Sequence, residues 1–257
     1  DGVRNEKIYF TDHTAEGHGY EEMDRKYEIA ATVGARGIRS EFNVATACPN
    51  RGVDDFTVTE QAMNQNIYSS KHQLQQFVTL TYGKVPPVTE AEYLRWEKYV
   101  EQIVLQHMEK RNPGMVTHWL IWNEYNGAGF NYIGATASDY YQLLKHSYHV
   151  IKRLDPESKV CGFVAAPTIT PNDPQNAIDW LRDVLELGGG EYMDIADIHP
   201  YNHTAPENMN SVRGRFIDET RALLDEFGYE DMPITFSEMG WSTPGTTDEM
   251  GQGAYFI

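Results

Sequence analysis

Seven times along the chain, a short run of apolar and β-branched residues gives way to a stretch with helical spacing. The apolar runs lie at Ile8-Tyr9-Phe10, Gly37–Phe42, Gln76–Tyr82, His118–Trp122, Val160–Ala165, Met193–His199 and Pro233–Glu238. Between them, apolar residues recur at three- and four-residue spacing and predict one buried face per helix. Such faces are Tyr20, Met23, Tyr27, Ala30 and Ala31; Tyr93, Trp96, Val100, Ile103, Val104 and Met108; and Tyr140, Leu144, Ser147, Ile151 and Leu154. Val212, Phe216, Thr220, Leu223 and Phe227 make another, and Ala177–Leu187 and Asp55–Lys71 supply the remaining helices. Thr89-Glu90-Ala91-Glu92 reads as a capping box, while Gly34, Asn112-Pro113-Gly114, Asp155-Pro156, Gly188-Gly189-Gly190 and Gly228 read as stops.

Strict alternation of this kind demands parallel strands joined by helical crossovers. At 257 residues the expected closure is an α/β chain forming one (β/α)8 TIM barrel domain over residues 1–257. After Trp241 only Ser242 to Ile257 remain. The barrel is therefore expected to be truncated before its eighth strand, leaving strands one and seven with unpaired edges.

Charge narrows the partners. A formal charge of −17, from 38 Asp and Glu against 21 Lys and Arg, offers no basic footprint for nucleic acid or for an anionic membrane. No apolar run approaches the roughly 20 residues that span a bilayer. The 16 Tyr and 5 Trp supply flat apolar faces with polar edges, which suit sugars, although most aromatic residues serve the core. Cys48 and Cys161 show no metal-ligand spacing and no CxxC, so pairing between them stays open. The chain starts at Asp1 without a signal peptide, so secretion or a periplasmic location also stays open, and nothing in the sequence sets an oligomeric state.

Two of the strands end in a glutamate. Trp122-Asn123-Glu124 closes the fourth and leads into a glycine-rich loop, and Ser237-Glu238-Met239-Gly240-Trp241 closes the seventh. In a parallel barrel both ends open at the same mouth, so the two carboxyl groups would face one another. Glycoside hydrolysis needs that arrangement, one carboxyl protonated to assist the leaving oxygen and one ionised. A lone glutamate is ordinarily a solvated loop residue, but two of them at strand ends flanked by tryptophan make a site. Asp12-His13 with Glu16 and His18, or His199 with His203, could instead hold a metal for hydrolysis. Neither stretch supplies an HxH on the first strand or a helical HExxH, so no metal is expected, and the first cluster reads as a polar rim loop. There is no GxSxG, GxGxxG or P-loop, and no cofactor is expected. A non-catalytic carbohydrate-binding barrel is the alternative from another class.

The ordered motifs resemble the clan A retaining glycoside hydrolases, family 39 most of all and family 5 next. In those barrels an Asn-Glu pair ends strand four, a His-x-Tyr often ends strand six and a Glu ends strand seven. Here these are Asn123-Glu124, His199-Pro200-Tyr201 and Glu238, in the right order along nearly the whole chain. The resemblance implies an oligosaccharide or polysaccharide substrate, cleaved by double displacement. It makes Glu124 the acid/base and Glu238 the nucleophile, with Asn123 on the sugar 2-hydroxyl and Tyr201 on Glu238. His199 would line the same wall, and Arg39 at the end of strand two would support the nucleophile. An acid has to start protonated, which repulsion from a second carboxylate favours. Departures from the pattern are Tyr125 where proline is common and Tyr82 where histidine is frequent. Tyr82 is carried as a substrate contact, as is Trp241, since the strand-eight tryptophan has no counterpart.

Overall fold

Seven parallel strands lie side by side in sequence order: β1 (Asn5–Asp12), β2 (Ala35–Asn43), β3 (Gln75–Thr81), β4 (Val116–Ile121), β5 (Lys159–Ala165), β6 (Ile195–Ile198) and β7 (Ile234–Thr235). The computed structural model describes residues 5–12, 20–48, 50, 52, 54–110, 116–167, 175–201 and 215–240. Helices alternate with the strands as α1 (Tyr20–Thr32), the single turn α2 (Val44–Ala47), α3 (Glu60–Lys71), α4 (Glu90–Lys110), α5 (Ala137–Leu154), α6 (Gln175–Glu186) and α7 (Arg215–Glu226). This is the (β/α) barrel architecture that the alternation predicts. No β1–β7 ladder forms among the described residues. The two strands nevertheless approach at the mouth, where the Thr11 hydroxyl donates to the Ser237 carbonyl at 3.0 Å. Among the described residues the edges of β1 and β7 are unpaired, as expected, with this one side-chain contact between them, and residues 241–257 lie outside the described residues.

Side-chain alternation divides each strand between two cores. Outward residues such as Phe42, Val78, Leu80, Trp119, Ile121 and Val160 pack with the helices in one cluster that includes Trp96, Val100, Ile103, Leu143 and Leu144. Inward residues Phe77, Leu120, Cys161, Val164 and Ile195, with Tyr9 against them, plug the barrel. Above that plug the inward positions turn polar and stay buried: Arg39, Thr79, Asp197 and His199. The candidate site therefore rests on an apolar floor. Cys161 belongs to that floor and Cys48 to the outer core, and both are buried thiols rather than halves of a disulfide.

Helix ends follow their sequence signals. Thr89 and Glu92 form the expected capping box, with the Glu92 carboxylate accepting from the Thr89 N–H at 2.9 Å and the Thr89 oxygen from the Glu92 N–H at 3.4 Å. A second box, Thr136 with Asp139, starts α5. Gly34, Gly188 and Gly228 take positive φ of 85°, 87° and 82°, as their stop positions require. Three expectations need correcting. The helix expected from Asp55 begins at Glu60, because Asp55 Oδ1 accepts from the Thr57 N–H and hydroxyl at 3.0 and 2.6 Å. That turn leaves the Phe56 and Val58 N–H groups to Gln102 and Gln106 of α4 at 3.0 and 2.8 Å. Met108, expected on the inner face of α4, is 39% exposed, and Tyr20 at the start of α1 is 52% exposed. Both sit at helix ends, beyond the stretch that covers the sheet.

Trp96 is the centre of the outer packing. It is fully buried, its rings lie 5.0–5.9 Å from those of Tyr82, Tyr99 and Trp122, and its Nε1–H donates to Ser147 Oγ on α5 at 2.7 Å. Trp96→Ala is expected to destabilise the chain by about 3–5 kcal/mol, measured by urea denaturation. A loss of less than about 1 kcal/mol would show that the α4–α5 layer does not hold the barrel.

Candidate active site

Glu124 is delivered by strained backbone. β4 ends at Ile121, and Trp122 and Glu124 then take positive φ of 69° and 45°, conformations that cost non-glycine residues on the order of 1–3 kcal/mol each. Neighbouring backbone holds them there. The Trp122 N–H donates to the Leu80 carbonyl of β3 at 3.0 Å, and the Glu124 N–H to the Val164 carbonyl of β5 at 2.7 Å. Val164 is itself strained, with φ of 46° beside Phe163 at 68°, where the β5–β6 register shifts. One irregularity in β5 thus receives another at the end of β4.

Glu238 is delivered differently. Asp197 of β6 is fully buried, and its Oδ1 and Oδ2 accept from the Ser237 backbone N–H at 2.9 Å and the Ser237 hydroxyl at 2.5 Å. That grip fixes the residue before Glu238. Arg39, on the inner face of β2 and 2% exposed, then contacts both halves of the site. Its Nη1 lies 2.6 Å from Glu238 Oε1 and its Nη2 donates to Asn123 Oδ1 at 2.7 Å. Tyr201 donates its hydroxyl to Glu238 Oε2 at 2.9 Å. Burial pushes the Tyr201 hydroxyl pKa well up, and the Glu238 charge adds to the shift, so Tyr201 remains a donor.

His199 joins the two glutamates. Its Nδ1 is 2.9 Å from Glu124 Oε1 and 3.9 Å from Glu238 Oε2, and its Nε2 is 2.9 Å from Ser237 Oγ. Asp197 Oδ2 stands 3.7 Å from Nε2, past hydrogen-bond range, and acts through the serine hydroxyl between them. Burial alone would lower the pKa of this fully enclosed ring. The interactions with Asp197 and Glu124 and the negative charge of Glu238 outweigh it and raise the pKa to about 9. The imidazole is therefore an imidazolium near neutrality.

One carboxylate oxygen from each glutamate and a ring nitrogen of His199 lie within 4.8 Å of one another. Such a trio could in principle hold a cation, but the Arg39 guanidinium already faces Glu238 and would repel one. Hydrogen bonding accounts for the grouping without coordination. Of the other metal-ligand candidates, His13, Glu16, His18 and His203 lie outside the described residues.

Six of the eight residues singled out from sequence come together here: Glu124, Glu238, Asn123, His199, Tyr201 and Arg39. Tyr82 does not. It follows the inward Thr81 and so turns outward, stacking among Phe56, Trp96 and Tyr99 with its hydroxyl on the Arg95 carbonyl at 3.1 Å. Tyr125 likewise packs into the helix layer against Tyr140 and Trp180. Trp241 lies outside the described residues. Sequence reasoning missed Asp197 and Ser237, although a carboxylate inside the apolar run Ile195-Ala196-Asp197-Ile198 was a visible signal, since buried charge requires a partner.

Comparison with known proteins agrees with this architecture. A glucosidase from Croceicoccus marinus superposes with a TM-score of 0.67 at 16% identity, covering 90% of this chain and 51% of that one. A beta-xylosidase of glycoside hydrolase family 39 from Caulobacter crescentus gives 0.64 at 15% identity, covering 95% and 55%. An endo-1,4-beta-D-mannanase from Thermotoga petrophila gives 0.67 at 14%, covering 98% and 83%. At these identities the likeness shows the barrel fold. In sequence, a beta-xylosidase from Caldicellulosiruptor saccharolyticus is 24% identical over 160 residues, 57% of this chain and 30% of that protein. The chain thus spans about a third of the length of that relative. The model of the glycosyl hydrolases family 39 matches residues 77–250, which include both glutamates, and the chain belongs to that family.

Proposed function

We propose that this chain is the catalytic barrel of a retaining glycosidase acting on an oligosaccharide or polysaccharide, with Glu124 as general acid/base and Glu238 as nucleophile. The observation that carries the reading is the approach of the two carboxylates, one oxygen of each lying within 4.8 Å of the other. Inverting pairs stand about 6.5–9.5 Å apart to admit a water molecule, and retaining pairs about 5–5.5 Å. An oxygen–oxygen approach of this kind suits the closer pair, in which the second carboxylate attacks the sugar directly.

The surroundings divide the two roles. A guanidinium at 2.6 Å and a tyrosine hydroxyl at 2.9 Å favour the ionised form of Glu238, the form that attacks an anomeric carbon. Glu124 has an imidazole partner instead, a group that exchanges protons. Glu124 protonates the glycosidic oxygen as Glu238 bonds to the anomeric carbon, and it then takes a proton from the water that releases the sugar. Asn123 gives its carbonyl oxygen to Arg39, leaving its amide N–H2 to donate to a sugar hydroxyl. A β-xyloside is a suitable first substrate, given the sequence relative from Caldicellulosiruptor saccharolyticus.

Proton NMR of the first-formed sugar is expected to show the anomeric configuration of the substrate, and the opposite anomer would refute double displacement. Glu238→Ala is expected to abolish turnover nearly completely, and full activity in that variant would remove Glu238 from the chemistry. Glu124→Gln is expected to lower kcat by about 10²–10⁴-fold on a substrate with a poor leaving group, and far less on one whose leaving group needs no protonation. Equal losses on both substrates would deny Glu124 the acid role.

A further inference from the structure

The buried groups behind the two glutamates decide which atoms can carry a proton. Asp197 uses both carboxylate oxygens on Ser237. A carboxylate accepts and does not donate, so the hydrogen of the Ser237 hydroxyl points at Asp197. The Ser237 oxygen then faces His199 Nε2, 2.9 Å away, as an acceptor, and Nε2 has to bear a hydrogen. Only Nδ1 is left to vary, and it lies 2.9 Å from Glu124 Oε1. That contact holds one proton, either on Nδ1 opposite a carboxylate or on Oε1 opposite a neutral imidazole.

The charges around this contact come from four strands. Glu124 follows β4, Asp197 lies on β6, Glu238 follows β7 at 3.9 Å from Nδ1, and Arg39 of β2 is paired with Glu238. Tyr201 adds a neutral donor to Glu238. Three carboxylates thus face one guanidinium and one imidazole, and a proton on the imidazole brings the group nearest to balance. The elevated His199 pKa has the same origin.

We infer that Asp197, acting through Ser237, is a positioning residue that holds His199 with its hydrogen on Nε2, so that Glu124 and His199 Nδ1 share a single catalytic proton. The destination of that proton rests on the retaining-glycosidase reading. In the first step it passes from Glu124 Oε1 to the glycosidic oxygen as the carbon–oxygen bond breaks and Glu238 bonds to the anomeric carbon. Glu124 is left a carboxylate and His199 a neutral imidazole. In the second step water attacks the anomeric carbon, the bond to Glu238 breaks, and the proton from water returns to the Glu124–His199 pair. The pair therefore ends the cycle as it began.

The test is side-chain ¹⁵N NMR of the histidines in the full chain, with His199→Gln identifying the His199 signals among the 9 histidines. In the wild type, Nε2 is expected to stay protonated at every pH, both nitrogens to be protonated near neutrality, and Nδ1 alone to titrate as pH rises through about 9. Asp197→Asn and Ser237→Ala are each expected to lower that midpoint by roughly one pH unit or more, and Ser237→Thr to restore it. The same shift and the same rescue are expected in the pH profile of kcat/KM, with kcat falling more than KM changes. The stabilisation from the His199 proton is present below the ordinary value of 6.5 and lost as pH rises through about 9, so the pH dependence of the thermal midpoint is expected to flatten in Ser237→Ala. A neutral wild-type ring with its hydrogen on Nδ1 would overturn the inference, even if the variants fail to fold. An unchanged midpoint in both Asp197→Asn and Ser237→Ala would do the same. The expected spectra with no turnover of any glycoside would support the proton assignment and refute the glycosidase reading.

Discussion

One buried guanidinium holds the mouth of this barrel in register. Arg39 reaches from β2 to Asn123 at the end of β4 and to Glu238 after β7, elements that lie far apart in sequence. An unpaired charge buried at 2% exposure would cost several kcal/mol. Arg39 therefore fixes both partners at once: displacement of Glu238 leaves the guanidinium charge uncompensated, and displacement of Asn123 leaves a buried N–H without its acceptor. The apolar plug of Phe77, Leu120, Cys161, Val164 and Ile195 beneath it excludes water from one side. The guanidinium can then find its partners only toward the mouth.

The two glutamates are positioned by different physical means. Glu124 depends on backbone strain, shared between the end of β4 and the irregular β5, with hydrogen bonds to Leu80 and Val164 holding the unusual dihedrals. Glu238 depends on side chains, through the Asp197–Ser237 grip and the Arg39 ion pair. Strain of this kind survives only where the surrounding packing over-determines it. The helix layer supplies that packing: Trp122, whose backbone is strained, lies buried against Trp96 and Tyr125. Contacts in the outer core thus bear on the placement of a carboxylate at the mouth.

Polar cross-links between α4 and α5 stiffen that layer further. Besides Trp96 with Ser147, His146 meets Glu97 at 2.8 Å while stacking on Tyr93, and Arg153 meets Glu101 at 3.1 Å. The outer surface pairs contribute little individually, on the order of 1 kcal/mol or less. Their spacing along the two helices nonetheless keeps α4 and α5 in one register, and these helices flank β4, the strand that ends at Glu124.

Much of this was legible in the chain itself, because periodicity is local. Alternating apolar runs and helical stripes set the order of all seven strands, and Gly34, Gly188, Gly228 and the Thr89–Glu92 box marked ends through backbone rules that need no tertiary partner. Glu124 and Glu238 stood out because a carboxylate at the end of a buried strand is conspicuous by composition. Tyr82 stands at a strand end, but the two-residue alternation turns it away from the mouth and toward α4, so strand-end position alone does not make it a substrate contact. The start of α3 was missed because Asp55 and two glutamines of α4 compete for backbone that the stripe alone assigned to a helix. The sequence by itself determined the alternation and the identity of the two carboxylates. Only the tertiary structure decided their separation, the grip of Asp197 on Ser237 and the contact of His199 with Glu124, since each depends on atoms that meet across strands far apart in the chain.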